Sequence, residues 1–197
     1  MSKRIITINR LYGSNGRQLG QILAQELGIH YYDKELIRIA SEKKGIPYDE
    51  LLKVDEKRAS QWRYPVEDPM QPQYRFFPMN DVLFQTESEI IESLAEKEDC
   101  VIIGRCANHI LKDKCSSVFI HAPFEYRVKT VMNRLDRTEK SARAMIRKID
   151  KERRSYYEYF TDERWLDMSQ YDLCIDSSRF TPPQIVRMLK AMYEEMN

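Results

Sequence analysis

The chain has no C-x-x-C pair: its four cysteines, Cys100, Cys106, Cys115 and Cys174, are scattered along 197 residues, and two of them lie in apolar, strand-like runs. That spacing excludes the usual zinc and redox motifs and predicts reduced, mostly buried thiols. No apolar run approaches the roughly 20 residues of a membrane span, and no signal-peptide core stands at the N-terminus. The expectation is a soluble, cytoplasmic chain with no membrane partner. Nor is one sign of charge in excess, since 32 Lys plus Arg face 31 Asp plus Glu for a net charge of +1, so nucleic acid is not an expected partner. A strict G-x-x-x-x-G-K-[ST] phosphate loop is missing as well. The length suits one domain with a substantial core.

What is present is unevenly placed. Lys3, Arg4, Arg10 and Arg17 precede the first acid, Glu26, and the stretch Arg127 to Arg154 holds eleven basic residues against four acidic ones, Asp136, Glu139, Asp150 and Glu152. If the two stretches meet, they form a pocket for a small polyanion; if not, the second is a solvated helix face.

The stretch Arg10 to Gly20 organises the reading. It follows the β-branched run Ile5-Ile6-Thr7-Ile8 and leads into the amphipathic pattern Leu19, Ile22, Leu23, Leu27, which reads as strand, glycine turn, helix. Such a junction aims backbone N–H groups and the positive end of a helix dipole at one spot and so suits phosphate. Gly13, Ser14, Asn15, Gly16, Arg17 and Gln18 are the candidate donor-phosphate contacts. The bland alternative is a βα turn that needs glycine only for its backbone.

Down the chain, Leu27-Gly28 closes the first helix, and Ile29 to Tyr32 forms a short strand ending at Asp33, a candidate acceptor contact or simply the N-cap of a helix from Lys34 to Lys43. A helix is expected from about Ile46 to Trp62, followed by a segment holding Pro65, Pro69, Pro72 and Pro78, where Arg63, Tyr64, Tyr74, Arg75 and Phe76 can stack on and pair with a substrate. Thr86-Glu87-Ser88-Glu89 carries a capping-box signature for a helix reaching about Lys97. Cys100 to Ile103 is a buried-strand pattern that breaks at Gly104-Arg105, and Ser117 to His121 is another strand. A helix from Pro123 to Leu135 and a basic helix from Glu139 to about Phe160 come next; Arg143, Arg147, Asp150 and Arg154 share a face of the second. Tyr171 to Ile175 is the fifth strand, and Thr181-Pro182-Pro183 opens the closing helix. Strands alternating with helices imply an α/β three-layer domain with a five-stranded, largely parallel sheet whose ligands bind at the carboxyl ends of the strands.

Several of these segments together resemble the cytidylate kinase-like branch of the P-loop nucleoside monophosphate kinases. They are Gly13-Ser14-Asn15-Gly16-Arg17, Leu27-Gly28 through Tyr32-Asp33 to Ile37, Ile103-Gly104-Arg105-Cys106-Ala107-Asn108, Phe119 to Pro123 with Arg127, and Asp150-Lys151-Glu152-Arg153-Arg154 leading to Tyr171 to Ser177. The likeness implies a single P-loop kinase-like domain over 1–197, a substrate-side excursion at about 45–85, a lid at about 138–170, and phosphoryl transfer from ATP or another NTP to a nucleoside monophosphate or similar acceptor. It implies catalytic roles for Arg17, Arg147, Arg153 and Arg154, and acceptor contacts from Asp33, Arg105, Arg127 and Asp150.

Mg²⁺ is expected with the donor. Arg17 stands where the family's loop has lysine, keeping the charge as a planar fork, and Gln18 has no hydroxyl to offer the metal. The metal ligands are therefore left open between phosphates, water and Asp33 or Asp176. Two alternatives keep the fold and change the role: a nucleotide-binding sensor without catalysis, or a kinase with a non-nucleotide acceptor. The oligomeric state is not legible.

Overall fold

The computed structural model describes residues 3–56 and 79–195. Five strands, β1 (Ile5–Arg10), β2 (His30–Tyr32), β3 (Cys100–Ile103), β4 (Ser116–His121) and β5 (Leu173–Asp176), form one sheet in the order β2-β3-β1-β4-β5. Every pairing is parallel, with Ile8 opposite Ile103 on one side and Val118 on the other. The central strand β1 is buried at all six positions, as its unbroken β-branched run requires in a sheet covered on both faces.

Alternation along β1 assigns the two covering layers. Ile6 and Ile8 join Leu19 and Leu23 of α1 (Gly16–Leu27) and Ile185 and Leu189 of α8 (Pro182–Glu194) on one face. Ile5 joins the other face, against α2 (Glu35–Lys44), α3 (Tyr48–Val54), α4 (Met79–Lys97) and α5 (Ala107–Leu111). The long helix α7 (Glu139–Thr161) is anchored at both halves: Ala142 and Ile146 pack on Val128 and Val131 of α6 (Phe124–Leu135), and Tyr156 and Tyr157 pack in an aromatic cluster with Phe119, Trp165 and Tyr171.

Three sequence expectations change. The described part of α4 starts at Met79, so Thr86 and Glu87 lie inside the helix; the Thr86 hydroxyl donates to the Val82 carbonyl one turn back, at 2.7 Å, instead of capping a helix start. Asp33 does not cap α2, whose N-cap position is held by Lys34 without a side-chain hydrogen bond. The fifth strand begins at Leu173, because Tyr171 and Asp172 follow a short 3₁₀ turn at Met168–Gln170. The proline-rich segment with Arg63, Tyr64, Tyr74, Arg75 and Phe76 lies outside the described residues, as does the end of the helix expected to reach Trp62. The cysteines are free, with Cys100 and Cys106 buried, and no described helix is long and apolar enough to cross a membrane.

Candidate functional site

The chain leaves β1 toward β2 on one side of the sheet and leaves β3 toward β4 on the other, which opens a crevice at the carboxyl ends of the central strands. The glycine loop sits there. Gly13 has φ +84 and Asn15, the N-cap of α1, has φ +63, so the chain turns through two left-handed residues before the first helical amides. Close approach as well as turning demands glycine: a Cβ on Gly13 would lie 3.0 Å from the Arg127 carbonyl and from Val131, and one on Gly16 would lie 2.7 Å from the Arg10 Cβ. The Ser14 hydroxyl is used inside the loop, donating to the carbonyls of Leu11 (2.8 Å) and Ile120 (3.0 Å). It fixes the loop on β4, and the Ser14 N–H is itself directed to the Leu11 carbonyl at 3.3 Å.

Five arginines converge around this loop, each beside carboxylates. Arg105, after β3, is the deepest, with a side chain 1% exposed. Its Nε donates to Glu87 Oε1 (2.8 Å), its Nη1 to Asp33 Oδ1 (3.1 Å) and the Ile103 carbonyl (3.2 Å), and its Nη2 to Asp55 Oδ2 (3.1 Å). Arg17, the second residue of α1, takes the other oxygen of the same aspartate, Nε to Asp33 Oδ2 at 2.6 Å, with its side chain 60% exposed. Arg10 grips Glu56 with both terminal nitrogens, at 2.7 and 3.1 Å, and Arg153 of α7 reaches the same carboxylate through Nε at 3.2 Å and the Arg10 carbonyl through Nη1 at 3.3 Å. Arg127 and Asp150 brace the loop from outside. Arg127 Nη1 donates to Asp150 Oδ2 (2.5 Å) and the Tyr12 carbonyl (3.1 Å), while the Tyr12 N–H donates to Asp150 Oδ1 (2.7 Å).

The electrostatics follow from this crowding. One guanidinium cannot neutralise three buried carboxylates, and burial pushes Glu87 up to about 8, despite Arg105 beside it, with no partner for its Oε2 among the described residues. Burial raises Asp55 too. Glu56 goes the other way: burial alone would raise its carboxyl, but Arg10 and Arg153 outweigh that and hold it far below the usual carboxylate range. Partial burial would lower Arg17, and Asp33 reverses this so that its charge is held more firmly than usual. Burial and the neighbouring Arg10 lower Arg153.

Arg17, Asp33, Arg105, Arg127, Asp150 and Arg153 are therefore brought together with the loop, whereas Arg154 and Arg147 are not. Arg154 points outward on α7 and pairs with Glu158 one turn on (2.9 Å), and Arg147 is exposed with its guanidinium over the Phe124 ring. Arg143, on the same row, spans Glu125 and Glu139. The residues that sequence reasoning passed over are Arg10 as a contact and the carboxylates Asp55, Glu56 and Glu87. For Asp55 and Glu56 the available signal is their adjacency after an amphipathic turn, whereas Arg10 enters the sequence reading only within the basic N-terminal stretch and Glu87 only within a capping-box pattern. Among the described residues no group of three or more His, Cys, Asp or Glu side chains is arranged to hold a metal ion.

A model of the cytidylate kinase-like family matches residues 5–179. The chain is similar to a cytidylate kinase of Methanopyrus kandleri, 25% identical over 98% of this chain and 94% of that protein. It is also similar to one of Pyrococcus horikoshii, 24% identical over 99% and 91%. Among solved structures it resembles an uncharacterised protein of Eubacterium ventriosum, with a TM-score of 0.73 at 27% identity, covering 98% of this chain and all of that one. A shikimate kinase of Bacteroides thetaiotaomicron shares the fold, with a TM-score of 0.57 at 15% identity, covering 98% and 99%.

Proposed function

The chain belongs to the cytidylate kinase-like family, and we propose that it moves the γ-phosphoryl group of a nucleoside triphosphate, ATP first among them, to a nucleoside monophosphate or similar small acceptor. The observation that carries this reading is the convergence of Arg10, Arg17, Arg105, Arg127 and Arg153 on one glycine loop at the carboxyl edge of a parallel sheet. Phosphoryl transfer asks a protein for little bond chemistry and much positioning and charge neutralisation, which such a cluster supplies.

In this reading the donor phosphates lie along the loop from Gly13 to Gln18, held by the Arg17 guanidinium and by the backbone N–H groups of Gly16, Arg17 and Gln18. These are the first amides of α1 and have no partner within the helix, whereas the Ser14 N–H is taken by the Leu11 carbonyl. Arg153 faces the acceptor side and neutralises charge there, and Arg105, buried with its donors on Glu87, Asp33 and Asp55, acts on the acceptor only through Asp33. Asp33 orients the acceptor or a metal-bound water. Arg127 and Asp150 position the loop by holding both the N–H and the carbonyl of Tyr12. Arg147 and Arg154 contribute only the general charge of α7, given their outward placement. A Mg²⁺ ion that arrives with the donor would be held mostly by phosphate and water and would neutralise phosphate charge; of the two carboxylates the sequence offers it, Asp33 already has both oxygens on Arg17 and Arg105, and Asp176 accepts from Ser178 through one oxygen. Incubating the protein with ATP, Mg²⁺ and a panel of nucleoside monophosphates tests the reading, with nucleotide-dependent ADP formation as the expected result.

One observation favours a second reading. The described site is internally compensated, each of the five arginines already facing a carboxylate, and Gln18 stands where a loop hydroxyl would help hold the metal. A protein that binds nucleotide as a sensor without transferring phosphate has the same features. Tight nucleotide binding with no ADP formed across the panel, or turnover only with sugar or other non-nucleotide alcohols, would replace the first reading.

A further inference from the structure

The Glu56 carboxylate is held by three guanidinium N–H groups from two elements, bidentate from Arg10 of β1 and singly from Arg153 of α7. Two arginine forks around one planar anion is the arrangement by which proteins hold phosphoryl groups. The anion here comes from the protein's own chain, at the end of α3, and is held at a cost: Glu56 has φ +50, a backbone conformation that L side chains rarely adopt.

Beside the carboxylate lies a polar cavity of about 10 Å³, room for about one water, lined by Arg10, Arg105, Arg153 and Tyr156 among others. Two polar atoms of this lining, Arg10 Nε and the Tyr156 hydroxyl, are buried with no hydrogen-bond partner among the described residues, although buried donors are ordinarily satisfied. The site thus has more donors than the glutamate can use.

We propose that Arg10 and Arg153 form a phosphoryl-binding subsite which the Glu56 carboxylate fills in the ligand-free protein, and that a phosphate dianion binds by displacing it. A tetrahedral dianion brings one more charge and more acceptor oxygens than a carboxylate, so it can engage the Tyr156 hydroxyl as well as the three N–H groups now on Glu56, or turn to the side edge of Arg10 and take its Nε. The space comes from the cavity and the departing carboxylate together. The inference rests on and deepens the phosphotransferase reading by giving Arg10 and Arg153 a defined ligand, but its first test uses inorganic phosphate without nucleotide, so either idea can fail alone.

The experiment measures inorganic phosphate binding by calorimetry, with chloride at matched ionic strength as the control, for the intact chain and for Glu56→Gln. The expected result is a dissociation constant at least tenfold lower in Glu56→Gln, together with a melting temperature that phosphate raises in the variant and scarcely moves in the parent. Adding Arg10→Gln to Glu56→Gln should abolish the gain. If Glu56→Gln fails to fold, Glu56→Asp keeps the charge on a shorter stem and should show a smaller gain in the same direction. Folded variants that bind phosphate no better than the parent would overturn the proposal, and so would a gain that survives Arg10→Gln. Repeating the titration with CMP and with ATP assigns the subsite to the nucleotide whose affinity rises; a rise for neither, with phosphate also unchanged, overturns it.

Discussion

Arg17 and Arg105 hold opposite oxygens of one carboxylate, that of Asp33, yet they stand in contrasting surroundings. Arg105 is sealed in, its side chain 1% exposed and its donors spent on Glu87, Asp33, Asp55 and a strand carbonyl. Arg17 has one carboxylate contact and is 60% exposed, so most of its fork faces outward. A buried guanidinium with all partners supplied is a structural charge whose removal strands its partners. An exposed one anchored by one carboxylate, with the Tyr31 hydroxyl beside it, is pre-aimed and available. Asp33 joins the two, so the position of the available cation is set by the structural one.

The largest effect expected from this contrast is on stability. Arg105→Ala should strand Asp55 without a cation, strip Glu87 of its buried donor and leave Asp33 to Arg17 alone, at a cost of about 3–5 kcal/mol read as a lower urea midpoint; a loss near zero would mean that the hub is solvated and the contrast false. Arg17→Ala should do the reverse, lowering kcat/KM by the equivalent of about 2–4 kcal/mol while leaving the urea midpoint almost unchanged. A variant with unaltered turnover would remove Arg17 from the chemistry.

A third expectation sharpens the picture of the hub through pH. Glu87 is raised to about 8 by burial, so from the ordinary glutamate value up to there the folded state keeps a proton that the unfolded chain has released. Stability from this group is full below that interval and falls as pH rises through it. Glu87→Gln should remove about 1–2 kcal/mol of the decline between pH 6 and pH 8 in a series of thermal melts; an unchanged slope would put the proton on Asp55. The smallest effect belongs to Arg154→Ala, on the outer face of α7, which should alter stability and turnover by no more than about 0.5 kcal/mol. A large loss of turnover there would show that α7 rotates in the working cycle.

Much of this was legible in the residues because it is local. The apolar runs at Ile5–Ile8 and Cys100–Ile103 must be buried strands, and Gly13 to Gly16 between a strand and an amphipathic run must be a tight turn. Asp33 was placed at a strand end by the same local logic, but its choice between capping and ion pairing depends on Arg105, far away in the chain, and no spacing rule carries that. Glu87 misled for a related reason: Thr86-Glu87-Ser88-Glu89 has the letters of a helix start and sits a turn or more inside a helix, where the glutamate serves Arg105 instead. Arg153 and Arg154 are adjacent and chemically identical in sequence. Only the rotation of α7 against β1 sends one to Glu56 and the other to Glu158.

Gly104 shows how far such a site can restrict its neighbours. Its backbone is left-handed, with φ +69, and a Cβ there would strike the Arg10 guanidinium and the Glu56 carboxylate. Both constraints act on a residue that offers no functional group of its own. A side chain there would have to push aside the ends of both Arg10 and Glu56, so sequences that keep the pair are expected to favour glycine more strongly than a lineage that lost it, which would retain only the backbone preference. Variation at Gly104 is therefore a marker, readable in sequence alone, of whether the ion pair above it has been kept.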